Sequence, residues 1–300
     1  EVAILRSSDV EGVPSRELLA LSALQPALSA RCIVGEWLLI AGLIALAKFA
    51  HHPIVTVLAI VMIGSRQHSL AILMHEGAHY HLAAQRALND RFAELFTAWP
   101  LFISLPSYRK THFEHHRHAN TIDDPDWRRK QNPDWAFPMT PFQMLILGLK
   151  ILLNVPLKIA FIALVLDFPR FFSRADWGRE VLRAIYYMVL IIGILRLRIG
   201  ADVLLFWLIP YGFCFMPVAH LRSIAEHFGL ENHPADPLTQ TRTTKAGLLE
   251  SILICPNHIN YHLDHHIVPS VPFYNLPALH QLLSRSSVYA KRASITQGYW

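Results

Sequence analysis

Nine histidines fall into four groups whose spacing suits metal binding. In the first group His75 and His79 are four residues apart, which places both rings on one face of a helix. Two later groups each have one histidine followed, three residues on, by a histidine pair, and the fourth contributes a single histidine. The candidate ligands are His75, His79, His112, His115, His116, His227, His262, His265 and His266. Nine imidazoles are too many for one ion and predict a two-metal site, although imidazole suits iron, zinc, copper and nickel alike.

Each histidine group also has an ordinary structural explanation. An isolated pair at this spacing is more often two polar positions on a helix, and one histidine triplet could be a surface patch. Three groups that each stand just beyond a predicted membrane span favour metal binding over that explanation. His227 stands alone in its group, so its assignment depends on the others.

The composition excludes an ordinary soluble domain. Of 300 residues, 53% are hydrophobic and only 16% are charged, whereas globular domains carry about 25% charged residues. The three cysteines lie far apart, which argues against disulfides and against a cysteine-based zinc site. A formal charge of +5 is typical of basic cytoplasmic loops beside anionic lipid, so no nucleic-acid partner is predicted.

Four apolar stretches are predicted to cross a membrane as helices, at about residues 32–50, 53–74, 182–199 and 202–220. None shows the period of two that barrel strands require. Phe92–Leu105 is too short to span, and Met144–Leu166 is interrupted by lysines and a proline, which favours a helix in the membrane interface. The predicted fold is a single all-α integral membrane domain over residues 1–300, with a helical cytosolic cap formed by 75–180 and 221–300.

Basic residues gather around the first two histidine groups. The residues concerned are Arg86, Arg91, Arg109, Lys110, Arg117, Arg128, Arg129 and Lys130. Because basic loops stay on the cytoplasmic side, the metal site is predicted to face the cytoplasm of a bacterial inner membrane. The same patch could dock an acidic electron carrier or a phosphate-bearing substrate, although topology alone explains it.

Several carboxylate and amide side chains lie within or beside the histidine groups. A carboxylate that accepts the second N–H of a ligating imidazole fixes the ring and raises its basicity. The candidates for this supporting role are Glu76, Glu114, Asn120, Glu226 and Asp264. Solvated polar residues on the cap are the equally weighted alternative for the four acidic residues.

Two ionisable residues, Arg66 and His68, lie within an otherwise apolar predicted span. Such residues are functional candidates by default. His68 precedes His75 by two helical turns and shares its face, so Arg66 and His68 are predicted to line a substrate channel. The alternative is that the span protrudes from the bilayer at this depth.

The histidine groups, their order and their position after paired spans resemble the membrane fatty acid desaturase and hydroxylase superfamily, and most closely its bacterial fatty acid desaturases. Residues 222–227, Arg-Ser-Ile-Ala-Glu-His, resemble the extra histidine that follows the fourth span of that family. Residues 260–266, Asn-Tyr-His-Leu-Asp-His-His, together with 271–280, resemble the C-terminal signature of the bacterial members. Residues 64–68 are similar to the segment that precedes the first group in the same family.

This resemblance implies a non-haem diiron centre on a four-span domain, with O2 as co-substrate and a lipid or other hydrophobic substrate. Electrons would come from a separate donor of the ferredoxin, rubredoxin or cytochrome b5 type with its reductase. In the animal-type acyl-CoA members, an asparagine one turn before the extra histidine reaches the metal through water. Ser223 occupies that position here, so a weaker contact or none is expected.

The leading functional prediction is fatty acyl desaturation, in which two neighbouring hydrogens are removed. A hydroxylase or ketolase, that is a monooxygenase on the same scaffold, is the alternative, since the outcome depends on where the substrate carbon sits relative to the oxidant. A metal transporter and a zinc-dependent membrane hydrolase are less favoured. Transporters hold their ligands near the bilayer midplane, whereas these histidines lie beyond the ends of the spans. No catalytic residue beyond the metal ligands is predicted.

Overall fold

The described residues are mainly helical, and one small sheet joins the C-terminal part of the chain. The computed structural model describes residues 14–126, 139–153, 177–230 and 236–299. The helices are α1 Ser15–Leu21, α2 Pro26–Ala50, α3 Pro53–Ala78, α4 Arg86–Ala93, α5 Leu105–His118, α6 Pro141–Leu153, α7 Trp177–Leu197, α8 Gly200–His227, α9 Leu248–Leu253, α10 His262–Ile267, α11 Leu276–Leu283 and α12 Ser287–Arg292. Shorter helical turns cover Glu94–Ala98, Trp99–Leu101, Pro256–His258 and Phe273–Asn275.

A two-stranded parallel sheet corrects the all-α prediction. Strand β1, Thr243–Lys245, pairs with β2, Ile295–Gln297, in a register that sets Thr244 opposite Thr296. Strands this short carry no readable alternation in the sequence, so the sheet could not be predicted from it. Because β1 precedes α10 and β2 follows α12, the sheet ties the C-terminal segment to the helix that carries the last histidine group.

Within the described residues, three helices are long and apolar enough to cross a membrane: α2, α3 and α8. Proline and a left-handed residue separate the first two, because His51 has φ 47° and Pro53 begins α3. Both α3 and α8 extend beyond the predicted spans. Helix α3 therefore carries His75, and α8 continues to His227.

The third predicted span, 182–199, corresponds to α7, which ends at Leu197 and is not one of these three helices. Glu180, Arg183 and Arg196 lie within α7 and shorten its apolar stretch. The helix nevertheless exposes a long run of apolar side chains. The exposed residues are Val181, Leu182, Ile185, Met188, Val189, Leu190, Ile191, Ile192, Leu195 and Leu197.

The two stretches that were predicted not to span also form helical structure. Residues 92–105 run from the end of α4 through two helical turns into α5, with Trp99 and Leu101 fully buried. Helix α6 covers the first part of the predicted interfacial helix, and residues 154–166 of that prediction lie outside the described residues.

The core joins the long helices to the histidine-bearing cap. Leu73 on α3 belongs to the same buried cluster as Leu263 on α10 and Leu279 on α11. Lower on α3, Gly64 allows α8 to approach closely, since an added Cβ would lie 2.3 Å from the Cβ of Cys214. This packing fixes where the C-terminal ends of α3 and α8 point.

Glu36, an acidic residue within the apolar helix α2, is buried. Its carboxylate pairs with the Arg66 guanidinium at 3.3 Å and accepts a hydrogen bond from Ser69 at 2.7 Å. Arg66 also donates to the carbonyl of Ile252 at 2.6 Å. The apolar helices α2 and α3 therefore hold a paired charge between them, as buried charges require.

Candidate metal centre

The structure brings all nine predicted histidines together in two adjacent groups. The five-histidine group comprises His75, His79, His112, His116 and His265. The four-histidine group comprises His115, His227, His262 and His266. Within each group the potential ligand atoms lie within 4.8 Å of one another. Two groups of this size match the predicted two-metal site in number.

Helices α5 and α10 each contribute to both groups, and their roles are exchanged. On α5, His112 and His116 share a face and enter the five-histidine group, while His115 points to the other group. On α10 the pair His262 and His266 enters the four-histidine group, and the intervening histidine joins the five-histidine group. The C-terminal end of α3 serves only the first group and that of α8 only the second.

The ring nitrogens are spaced as ligands of one ion are spaced. The closest Nε2–Nε2 distances are 2.8 Å for His79–His112, 3.0 Å for His112–His116, 3.1 Å for His116–His265, 2.9 Å for His227–His262 and 3.1 Å for His262–His266. Two nitrogens at right angles, each about 2.1 Å from an ion, would lie about 3.0 Å apart. Hydrogen bonding alone does not explain the cluster, because a neutral imidazole has only one N–H to donate.

Two buried ring nitrogens support the same conclusion. In the part of the chain that the structure describes, the Nε2 atoms of His75 and His115 have no hydrogen-bond partner. Both rings use Nδ1 for a contact with a carboxylate, so Nε2 is the atom each has left for a metal. An unpaired polar atom in a protein interior is costly, and coordination would satisfy it.

Burial keeps these rings in the form that binds metal. Desolvation lowers the pKa of six of the imidazoles below the ordinary value for histidine, and electrostatic repulsion from neighbouring imidazoles lowers it further. The six belong to His79, His112, His116, His262, His265 and His266. A neutral imidazole has the free lone pair that coordination requires.

Glu76, a candidate supporting residue in the sequence, contacts one ring of the five-histidine group. Its carboxylate lies 3.3 Å from Nδ1 of His75 and 2.9 Å from Nδ1 of His81. The backbone N–H of Phe273 donates to the same carboxylate at 2.9 Å. Glu76 thus links the end of α3 to the loop before α11, and it orients the His75 ring.

Asp124 plays the corresponding part in the four-histidine group, and sequence reasoning missed it. Asp124 Oδ1 accepts from His115 Nδ1 at 2.9 Å. Burial alone would raise the pKa of Asp124, but the hydrogen bond from His115 lowers it below its ordinary value. The spacing of nine residues from His115 falls outside the helical periods that reveal such pairs.

Asp264 lies within the third histidine group but contacts none of its rings through the hydrogen bonds observed. It accepts from Thr243 Oγ1 at 2.6 Å, from Tyr289 Oη at 2.7 Å and from His280 Nδ1 at 3.1 Å. Asp264 is therefore an anchor that attaches α10 to β1, α11 and α12. His280 on α11 belongs to this anchor.

Glu226 and Asn120 adjoin the four-histidine group. Glu226 pairs with Arg222, and its Oε2 lies 3.6 Å from Nε2 of His262. Asn120 donates to the backbone carbonyl of His227 at 3.2 Å. Ser223 is half-buried one turn before His227 on α8.

Three predicted residues are not brought to either histidine group. Glu114 is 42% exposed and pairs with Arg117 on the outer face of α5, because three residues along a helix return to the same side. Arg66 is held by Glu36, as described above. His68 is buried against the ring of Phe215, at 6.0 Å between centroids. The role of Arg66 and His68 in lining a substrate channel stays a prediction.

The chain is similar to known oxidative enzymes. Residues 50–298 match the family model described as "Fatty acid desaturase". The relative named "Dihydrorhizobitoxine desaturase", from Bradyrhizobium elkanii, is 28% identical over 310 aligned positions, which cover 97% of this chain and 86% of the relative. The matched region contains all nine histidines.

Proposed function

Because the chain belongs to the fatty acid desaturase family, we propose that it oxidises an unactivated C–H bond of a lipid-like substrate with O2, and that the reaction is desaturation. The observation that carries this proposal is the division of the nine histidines into groups of five and four. A histidine-ligated pair of iron ions is the proposed cofactor. When bound, iron would supply the redox chemistry that hydrogen abstraction from an unactivated carbon requires.

The ligand sets favour iron over zinc. Structural zinc takes four ligands in a tetrahedral arrangement, whereas one group offers five imidazoles. Tetrahedral nitrogens about 2.1 Å from an ion would stand roughly 3.4 Å apart, farther than the 2.8 Å between His79 and His112. The number of imidazoles in the five-histidine group and the spacing of their nitrogens thus suit an ion of higher coordination, and imidazole is a common ligand of iron.

The carboxylates Glu76 and Asp124 orient one ring in each group. By accepting from Nδ1, they hold His75 and His115 in the tautomer whose Nε2 lone pair faces the group. Such partners also raise the basicity of the ligand. In this proposal Asp264 and its partners keep α10 in place so that both groups receive their histidines from it.

The membrane arrangement forms part of the proposal. Helix α7 exposes apolar side chains over most of its length, which suits contact with lipid, so we propose it as the remaining span of a four-span domain. The histidine groups then lie in a cap on the cytoplasmic side of a bacterial inner membrane. A substrate dissolved in the lipid would reach the cap without crossing water.

Electrons would come from a separate protein, as the resemblance implied. His116 and His266 are candidates for the entry point, because they belong to different groups, are only half-buried and stack with 4.1 Å between ring centroids. A ferredoxin, a rubredoxin or a cytochrome b5 that docks above them would lie close to both groups.

The substrate requires a direct test, since the relative's name refers to dihydrorhizobitoxine and the family's name to fatty acids. Purified protein would be loaded with Fe(II), analysed for metal and Mössbauer spectrum, then supplied with O2, ferredoxin, its reductase and saturated phospholipid acyl chains. We expect two coupled irons per chain and a product that lacks two hydrogens. A product with one added oxygen would favour the hydroxylase alternative, and two tightly bound zinc ions without oxidation would contradict the proposal.

Matched variants make this test specific to the site. His116→Ala is expected to abolish turnover, because it removes a ligand from the five-histidine group. His118→Ala is the control, since His118 is on the same helix but belongs to neither group. Equal activity of the two variants would contradict the assignment of His116 as a ligand.

A further inference from the structure

The two helices that end at the histidine groups have the same kind of C-terminal cap. The last carbonyls of a helix have no partner within it. At the end of α3 those carbonyls accept from an arginine and an asparagine, and the end of α8 has the same pair of residue types. We propose that Arg109 positions the five-histidine group and that Arg242 positions the four-histidine group, each independently of the other. This inference depends on the metal binding proposed above.

Arg109 connects the first histidine pair to the second histidine group. Its Nε donates to the carbonyl of Ala78 at 2.9 Å, and its Nη2 donates to that of Gly77 at 2.9 Å. Asn89 Nδ2 donates to the Gly77 carbonyl at 2.8 Å. Arg109 lies on α5 three residues before His112, so one side chain fixes the end of α3 against α5.

The positive charge of Arg109 is balanced by the neighbouring carboxylate of Asp90. Asp90 accepts from Nη2 at 2.6 Å and from Nη1 at 3.2 Å, and the guanidinium lies 4.0 Å from the centre of the Tyr80 ring. Both ions of this pair are largely buried, with side chains 12% and 16% exposed. Only an arginine has the planar fork that can serve two carbonyls and a carboxylate together.

Arg242 makes the equivalent contacts at the end of α8. Its Nη1 donates to the carbonyl of Ala225 at 2.6 Å, and its Nη2 donates to that of Phe228 at 3.2 Å. Asn120 donates to the carbonyl between them, that of His227, at 3.2 Å. Arg242 stands directly before β1, so it attaches the end of α8 to the C-terminal part of the cap.

The independence of the two caps follows from the composition of the groups. The five-histidine group contains both histidines from the end of α3 and none from α8. The four-histidine group contains the histidine of α8 and none from α3. Loosening one helix end therefore moves ligands of one group, while α5 and α10 still hold the other.

The test is metal binding to wild type, Arg109→Gln and Arg242→Gln, with Co(II) alone as the probe in detergent. Wild type is expected to bind two ions per chain. Each glutamine variant is expected to bind one ion with unchanged affinity and the other 10- to 100-fold more weakly, about the loss seen when partners of metal ligands are removed. Arg117→Gln is the control, because Arg117 is on α5 but its pair with Glu114 is exposed.

The absorption spectrum identifies which ion is lost by comparison with His79→Ala, which removes a ligand of the five-histidine group, and with His227→Ala, which removes one of the four-histidine group. Arg109→Gln should lose the same part of the cobalt spectrum as His79→Ala, and Arg242→Gln the same part as His227→Ala. Arg109→Lys, which keeps the charge but loses the fork, should weaken the same ion by a smaller factor and serves if the glutamine variant does not fold.

Two results would overturn the proposal. One is that Arg109→Gln weakens both ions equally, which would mean that the arginine only stabilises the fold. The other is that neither variant differs from Arg117→Gln. If wild type itself binds fewer than two ions, the metal assignment fails instead, so the two failures can be told apart.

Discussion

Gly77→Ala is the change that most directly tests how tightly the first histidine pair is held. Gly77 lies between His75 and His79 near the end of α3, where it faces α4. A Cβ added to it would lie 2.4 Å from the Cβ of Ala93 and 3.3 Å from Cδ1 of Leu82. Carbon atoms pack best at about 3.5–4.0 Å, so α3 and α4 would have to separate by roughly 1 Å or more.

That displacement acts on the ligands themselves. The Gly77 carbonyl also accepts from Asn89 and Arg109, so a shift of α3 disturbs both contacts at once. Overpacking of this kind costs about 1–3 kcal/mol of stability. A misplacement of about 1 Å at reacting groups can cost on the order of 100-fold in turnover. We therefore expect a folded protein with a strongly reduced rate and weaker binding of one metal ion.

The chain offers a matched rescue, because the clashing atom is the methyl group of Ala93. Ala93→Gly removes that methyl at a cost of about 1 kcal/mol for glycine in a helix. The assay compares turnover, metal content and unfolding for Gly77→Ala, Ala93→Gly and the double variant, as a double-mutant cycle. The double variant should regain most of the lost turnover. Wild-type turnover in Gly77→Ala, or no gain from the second change, would refute this reasoning.

Three further predictions concern charge and metal. Burial raises the pKa of the Glu94 carboxyl to about 7, although Arg179 opposes the shift. Between pH 4.5 and 7 the folded protein therefore binds more protons than the unfolded chain, so its stability falls as the pH rises. Glu94→Gln should therefore be more stable than wild type at pH 8, by at most about 3 kcal/mol, and this difference should shrink toward pH 4.5. Thermal unfolding of both proteins across this pH range is the measurement, and a difference that stays constant would contradict the prediction. Arg66→Met leaves the Glu36 carboxylate buried without its cation and should cost about 3–5 kcal/mol in denaturant unfolding, while adding Glu36→Leu should recover most of it. Chelation of the metal should lower the unfolding temperature of wild type, because ions that bind only the folded state stabilise it by about 4 kcal/mol when the free ion concentration is 1,000 times Kd. Chelation should have a smaller effect on the unfolding temperature of His265→Ala.

Eight of the nine candidate ligands could be predicted from the sequence because each lies at a helical spacing from another histidine of its group, whereas His227 stands alone. Supporting contacts were less predictable, since they depend on where loops return. Glu76 is adjacent to His75 and was found, whereas Asp124 reaches His115 from a turn beyond α5. Asp264 has the right position in the chain, but its carboxylate faces away from the histidine groups and toward Tyr289.

Contacts between the long helices also could not be predicted from the sequence, but for a different reason. Composition identifies apolar stretches, but it does not reveal which charges find partners inside them. Glu36 and Arg66 come from different helices, and only the packing of α2 on α3 brings them together. Likewise α3 continues past its apolar part to Ala78, because the carbonyls at its end are capped by residues from α4 and α5.

The four histidine groups along the sequence contain one, two or three histidines, and helix geometry explains this difference. Along a helix, residues i and i+4 are about 40° apart around the axis, whereas residue i+3 lies about 100° from i+4. A triplet such as His112, His115 and His116 can therefore give a pair to one ion and a single ring to a second. Helices α5 and α10 supply rings to both groups and carry triplets, whereas the end of α3 supplies a pair to one group and the end of α8 supplies a single ring to the other. Moving His115 by one position along α5 should thus remove a ligand from the four-histidine group without adding one to the other.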